Sequence, residues 1–538
     1  MSRRASYQQK HIPLPPRYSF GDNSCHLNLL LGPGTGGCPY QWYCAADQVR
    51  SGMFPLTETY GQNIRCTLTE PSSSIVPRSE HQFSKDERVR LSLRKHFHEV
   101  LSDSPSEHPF ACGGLDGEPV RFGEYLGFVD LRLRFAVAPI ALGLLAPPGP
   151  LRDKDTAIVL GEYGSMFGGL AFPCTVFSMQ DEQYGGAVCA HACVIMALGM
   201  LADRGARIHG SYTLAFLGNR PLGKGACGRE GEEGVPEKRF GVYGLSTKEI
   251  CGLIHACGAF GHPYIRGGSG EERLIGKLIE AHIEARFPII MLVDTEAWHN
   301  TTRPGVARPR DARLQENLPH ETRSEEPEPG HAVTIVGFRR VLGSREIELV
   351  VHDPAYIPYM AVPLSSCLES TRSLKRRQGW DGNGKPIYEP TEETHLAFTG
   401  DGAINVFAGD CLAVAAETSP QFRRIIEDEK AGDYSIRLLR GEDVAAAYAP
   451  AAGRTIQQAR LEADELKAVL DKRRRYWCIE ARSKRRPDRS ELLVFAAEDG
   501  PASDGPAEGQ PARLPVLAAR AVITTQSDSQ GEDGFGAG

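Results

Sequence analysis

Apolar and polar positions alternate along this chain with periods that change from one stretch to the next, and those changes mark its elements. Residues 1–83 are rich in Pro, Gly and Ser with scattered aromatics. Few periodic runs occur there, which reads as irregular structure or an extended arm. Ser84-Lys85-Asp86-Glu87 has the form of a capping box, and Leu91, Phe97, Val100 and Leu101 behind it form an apolar stripe. The pattern predicts an amphipathic helix over residues 84–101. Between Pro119 and Phe172 the period shortens, predicting strands at 125–129, 131–135 and 156–160. These stretches form an N-terminal accessory region, residues 1–173, of irregular and α+β character.

The next region, residues 174–410, is patterned most clearly. An apolar run at 174–179 predicts a strand, and a polar turn with Gln180, Gln183, Gly185 and Gly186 follows. Cys189 then opens an apolar run to Leu201 that predicts a buried helix, stopped at Asp203-Arg204-Gly205. Ser246-Thr247-Lys248-Glu249 is a second capping box, opening a helix that runs to Cys257-Gly258. Leu274, Leu278, Ile279 and Ile283 fall at helical spacing within 271–285. Strands are predicted at 288–293, 331–338, 346–352 and 359–363, with a hairpin at 396–407. Polar loops at 300–329 and 365–393 interrupt this series. The first is long, Arg- and Pro-rich and runs straight into His331, which marks it as a flap beside the site or a surface insertion. Beyond it, residues 411–496 read as a helical and mixed extension with a charged amphipathic helix at 455–476. Residues 497–538, rich in Gly, Asp, Ser and Pro, read as a disordered tail.

Composition narrows the class. With 41% apolar and 24% charged residues the chain is an ordinary globular one, and its net charge of -7 carries no signature of nucleic-acid binding. Lys472-Arg473-Arg474-Arg475 and Lys484-Arg485-Arg486 are basic, but they sit among acidic residues and read as solvated positions. The longest apolar run, 135–148, is too short to span a bilayer and contains three prolines. Met1-Ser2-Arg3-Arg4 has no apolar segment behind it, so neither a signal peptide nor a membrane association is expected. The 14 cysteines then read as reduced thiols of a cytoplasmic protein. Pairs such as Cys251 and Cys257 lack zinc-ligand spacing, so no metal and no cofactor are expected.

The remaining chemistry converges on one thiol. Cys189 stands where a polar turn meets a buried helix, and there the macrodipole and free N–H groups favour a thiolate. His331 opens an apolar strand within Gly330-His331-Ala332-Val333, which puts an imidazole at a strand end. Asp353, within Val351-His352-Asp353-Pro354, ends the next strand, where its carboxylate can fix the imidazole tautomer. Gln183 and the backbone N–H of Cys189 are the candidate oxyanion donors, with Gln180 as the fallback. Cys, His and Asp in that order, with a Gln upstream, make up a papain-type thiol site. His191 and Cys193 read as structural residues of the helix. His352 points to the opposite side of its strand from Asp353.

These motifs carry a resemblance. Gln–turn–Cys–apolar helix, then Gly330-His331-Ala332-Val333 with Val336-Gly337-Phe338, then Asp353-Pro354-Ala355, resembles the bacteriocin-leader peptidases. It is still more similar to their stand-alone bacterial relatives, the papain-like cysteine peptidases. The likeness covers residues 174–363, and the Gln183-to-Cys189 spacing is similar to the papain pattern. It implies an α+β, two-lobed core. A helical lobe would carry Cys189 and an antiparallel sheet would carry His331 and Asp353, with the N-terminal region added. One departure is Cys189-Ala190-His191, where the family usually has Cys-Gly-Pro. The implied function is a cysteine peptidase acting on a protein or peptide. The same residues also serve deamidation, transglutamination or amide hydrolysis, and a papain fold can persist as a non-catalytic interaction module.

Overall fold

The computed structural model describes residues 64–71, 92–100, 122–132, 140–147, 151, 155–167, 170–180, 189–203, 245–267, 271–302, 330–341, 346–354, 358–380, 386–447, 470–498 and 516–523. Seven strands come first: β1 (Ile64–Pro71), β2 (Ser92–Val100), β3 (Phe122–Arg132), β4 (Ile140–Leu145), β5 (Thr156–Ile158), β6 (Gly161–Phe167) and β7 (Leu170–Gln180). A mixed region follows: α1 (Cys189–Asp203), α2 (Thr247–Ala256), β8 (Phe260–Gly267), α3 (Glu272–Glu284), β9 (Ile289–Val293) and α4 (Thr295–Thr302). Next come β10 (His331–Arg340), β11 (Ile347–His352), β12 (Met360–Pro363), α5 (Leu364–Arg372), β13 (Lys375–Trp380), β14 (Pro386–Pro390) and β15 (Glu393–Gly400). The chain closes with α6 (Ala408–Thr418), α7 (Pro420–Glu427), β16 (Gly432–Arg440), α8 (Gly441–Ala447), β17 (Arg475–Ser483), β18 (Arg486–Ala496) and β19 (Val516–Ile523). Helices combined with antiparallel sheets make this an α+β protein.

The central sheet runs β12-β11-β10-β9-β15-β8, all antiparallel. Its middle strand, β10, is buried from His331 to Phe338, which explains its unbroken apolar sequence. One edge of β10 is shared. β9 pairs with His331 to Ile335, and β5 pairs with Gly337 to Arg339. The ladder to β11 shifts between Ile335 and Gly337. A Cβ at Gly337 would lie 2.5 Å from the Ala157 carbonyl oxygen, so only glycine lets β5 approach. An N-terminal sheet, β1-β2-β3-β4-β7-β6, ends in β7, which leads toward α1. A C-terminal sheet, β16-β17-β18-β19, joins the same core. The indole of Trp477 on β17 donates to the Val406 carbonyl at 2.9 Å and lies 5.3 Å from the His282 ring on α3.

Several expectations hold and several do not. Both reciprocal hydrogen bonds of the Ser246/Glu249 capping box form at the start of α2. The helix expected at 271–285 is α3, and the strands expected at 288–293, 331–338, 346–352 and 359–363 are β9 to β12. Residues 92–100, expected to be helical, form β2 instead, and residues 84–91 lie outside the described residues. β2 is hydrogen-bonded on both sides, to β1 and β3, and that pairing overrides a weak helical period. Residues 125–129 and 131–132, expected in two short strands, belong to one, β3, and residues 133–135 lie outside the described residues.

The polar loop expected at 365–393 contains α5 and the β13–β14 hairpin. α5 buries Cys367, Leu368, Ser370 and Thr371, a face too polar to read as apolar. The hairpin expected at 396–407 is a single strand, β15, paired on both sides, followed by a turn. Of the helix expected at 455–476, residues 455–469 lie outside the described residues. Residues 470–476 turn into β17, where Arg475 binds Asp401 and Glu498, each at 2.8 Å. Within the tail expected to be disordered, Val516–Ile523 pairs with β18. α6 crosses position 410, and the apolar core runs continuously from Ala146 to Ala497. Among the described residues no helix is long and apolar enough to cross a membrane.

Two predictions follow from this packing. Gly337→Ala forces a methyl onto the β5 backbone and should cost about 1–3 kcal/mol. The readout is a lower urea midpoint at unchanged slope, and an unchanged midpoint would show that β5 yields freely. The second concerns acid. Burial pushes His282 and His352 down to about 3, and His262 and His191 down to about 4. Each is neutral in the fold and ordinary when unfolded, so the unfolded chain binds more protons below pH 6.5. The contribution of these four rings to stability should be full above pH 6.5 and fall steadily from there toward pH 4. A melting temperature flat across that window would contradict the burial of these rings.

Candidate active site

The site is built at one end of β10. α1 begins at Cys189 and runs over β10 and β9, with β7 and α2 also packed against it. Its sequence, Cys-Ala-His-Ala-Cys-Val-Ile-Met-Ala-Leu-Gly-Met-Leu-Ala-Asp, has no charged residue before Asp203, and almost every side chain is buried. A helix apolar on all sides can sit only inside the protein. The burial therefore fixes where its N-terminus points. Cys189 is the first helical residue, only 5% exposed, and the first turn holds no acidic side chain to oppose a thiolate.

His331 is the first residue of β10, paired across the sheet with Val293 of β9. The residue before it packs closely: a Cβ at Gly330 would lie 2.8 Å from Leu374 Cδ2, a side-chain end that would have to shift. The His331 ring makes two side-chain contacts. Nε2 lies 2.8 Å from Asp353 Oδ1, and the ring hydrogen-bonds with Cys189. Asp353 follows the last residue of β11. The ladder pairs Thr334 with His352, so Asp353 extends it opposite Val333, on the same face as His331. Strand register alone thus brings imidazole and carboxylate together. Burial opposes a proton on His331, but the adjacent Asp353 carboxylate and Cys189 outweigh it and hold its pKa well above the ordinary value.

The second carboxylate oxygen of Asp353 is also occupied. Trp298 Nε1 donates to Oδ2 at 2.9 Å, and both residues are buried. Trp298 was not among the residues expected from sequence. It lies on α4, a short helix that starts directly after β9, the strand paired with His331. Asp294 caps α4 by accepting from the Ala297 backbone N–H at 2.9 Å. An Asp after an apolar strand is a helix-start signal, and it was the one cue available.

Cys189, His331 and Asp353 are therefore brought together. Gln183 lies outside the described residues. Gln180 ends β7, its backbone paired with Leu142. His352 does not join the site: it is fully buried and its ring meets Tyr359 edge-on at 4.5 Å. His191, on α1, is buried and held neutral above about pH 4 by that burial, which nearby Glu249 partly offsets. Cys251, Cys367, Cys411 and Cys478 are buried thiols raised above their ordinary pKa by desolvation, so they are poor nucleophiles. Among the described residues no group of three or more His, Cys, Asp or Glu is placed to hold a metal ion. No family model and no curated protein matches this chain.

Asp353 and Cys189 are the groups that raise His331, while burial lowers it. Asp353→Asn keeps the shape and removes the charge. The His331 ring, followed by NMR in a Cys189→Ala background, should then titrate at lower pH than it does with Asp353 present. Equal titration in the two proteins would mean that the carboxylate does not set the imidazole.

Proposed function

We propose that this chain is a papain-like cysteine hydrolase, a peptidase acting on a protein or peptide. The observation that carries the reading is the buried His331 ring, bonded to the Asp353 carboxylate on one side and to the Cys189 thiol on the other. Supporting it is the division of the site: the thiol starts a buried helix, and the imidazole and carboxylate stand on adjacent antiparallel strands. Papain-like two-lobed enzymes divide their sites in this way.

The chemistry follows from those positions. Proton transfer from Cys189 to His331 gives a thiolate–imidazolium pair, favoured by the helix N-terminus and by Asp353. The thiolate attacks the scissile carbonyl carbon, and the carbonyl oxygen takes the negative charge. The backbone N–H of Cys189 and the Gln183 amide are the donors assigned to it. As the C–N bond breaks, imidazolium gives its proton to the leaving amine, and a thioester remains on Cys189. Neutral His331 then takes a proton from water, hydroxide adds to the thioester, and the acid product leaves with the thiol restored. A glutamine side-chain amide as acyl donor would pass through the same steps with ammonia as the leaving group, so the proposal for a peptide bond is tested on product mass.

Three outcomes are expected. An electrophilic peptide probe should label Cys189, located by mass spectrometry, and labelling should be lost in Cys189→Ala. Both Cys189→Ala and His331→Ala should lower peptide hydrolysis by several orders of magnitude while remaining folded. Wild-type turnover in either variant would overturn the assignment. Gln183→Ala should lower turnover roughly 10²- to 10³-fold with little change in KM. A larger loss in Gln180→Ala would move the oxyanion role to that residue.

A further inference from the structure

We propose that Trp298 is a positioning residue that sets how readily His331 gives up its proton, acting through Asp353. The inference rests on the reading of Cys189, His331 and Asp353 as the working site. Its basis is the division of the carboxylate: Oδ1 meets His331 Nε2 at 2.8 Å and Oδ2 receives the Trp298 indole N–H at 2.9 Å. Both residues are 3% exposed, so water does not compete for either oxygen. In such a site a neutral N–H donor withdraws charge from the carboxylate and weakens it as an acceptor at its other oxygen. The donor also stops the carboxylate from rotating away from the imidazole.

The support for Trp298 is rigid and comes from the same sheet. β9 pairs with His331 at Val293, Asp294 caps α4, and the Trp298 backbone N–H bonds to the Asp294 carbonyl at 2.9 Å. The Asp294 backbone N–H is in turn bonded to the Ser370 carbonyl on α5 at 2.8 Å. Imidazole and indole are therefore held by consecutive elements with little freedom between them.

Moderation matters because His331 has two opposed tasks. As imidazolium it must protonate the leaving amine, and as neutral imidazole it must accept a proton from water. A carboxylate without the Trp298 donor would hold the imidazolium more firmly and slow the second task. The titratable groups on the surrounding elements include Cys189 and His191 on α1, Glu249 on α2, Asp294, Glu296 and His299 at α4, and His352 on β11. Of these, Cys189 acts directly on His331 beside Asp353. His191 and His352 stay neutral above about pH 4 and about pH 3.

The test is the His331 titration by NMR in the full chain carrying Cys189→Ala, with and without Trp298→Phe. Loss of the N–H should raise the His331 pKa by about one unit, a roughly tenfold tighter hold on the proton. In the Asp353→Asn background the same substitution should have no effect on it. An unchanged or lowered His331 pKa would overturn the proposal, because a merely space-filling indole, or one that only orients the carboxylate, leaves it unmoved or reduces it. If Trp298→Phe does not fold, benzothienylalanine at position 298 keeps the shape and lacks only the donor, and the same reading applies. Neither titration requires hydrolysis. A wild-type chain that fails to cleave peptides would sink the functional reading alone, and an unmoved pKa would sink the role of Trp298 alone.

Discussion

The buried contact between His331 and Asp353 requires the rest of the sheet to be in register. Two polar side chains, both nearly inaccessible, meet at 2.8 Å at the end of an apolar strand. Desolvating an imidazole and a carboxylate separately costs several kcal/mol, and their mutual contact is a main part of what offsets it. A slip of one residue between β10 and β11 would send Asp353 to the opposite face and leave both groups buried without each other. The pairing of Thr334 with His352, and the shift confined to Ile335–Gly337, are thus constraints on chemistry as much as on architecture.

That contact also explains why α1 and α4 lie where they do. α1 is apolar around its whole circumference and must be enclosed, which puts the Cys189 end of the helix against the imidazole. α4 is short and mostly polar, and it holds its place through its Asp294 cap and through Trp298. One helix brings the thiol by hydrophobic burial; the other brings a hydrogen-bond donor by backbone capping. The buried histidines elsewhere have no such purpose. His282 sits within 4.6 Å of Phe398 and 5.3 Å of Trp477, as a neutral ring in an aromatic core.

Much of this was legible in sequence wherever the determinant is local. The Ser246–Glu249 cap needs four residues, and the strand at His331 needs only its apolar run. Cys189, His331 and Asp353 could be named because each stands at an element boundary. Features set by distant partners were not legible. β2 became a strand because it is flanked by β1 and β3, and α5 hid its buried face in Cys367, Ser370 and Thr371. Trp298 escaped notice because its partner is 55 positions away. Gln183 is legible as part of a motif and lies outside the described residues.

The order of the elements along the chain has a consequence during synthesis. The ribosome delivers Cys189 before His331, and His331 before Asp353. β10 is complete only when β5, made much earlier, and β11, made last, have both found it. Pairings between segments so far apart form late, because closing the intervening loops costs entropy first. In a nascent chain Cys189 therefore has neither the imidazole nor the carboxylate beside it. The surroundings of Cys189 are therefore completed only at the end of folding.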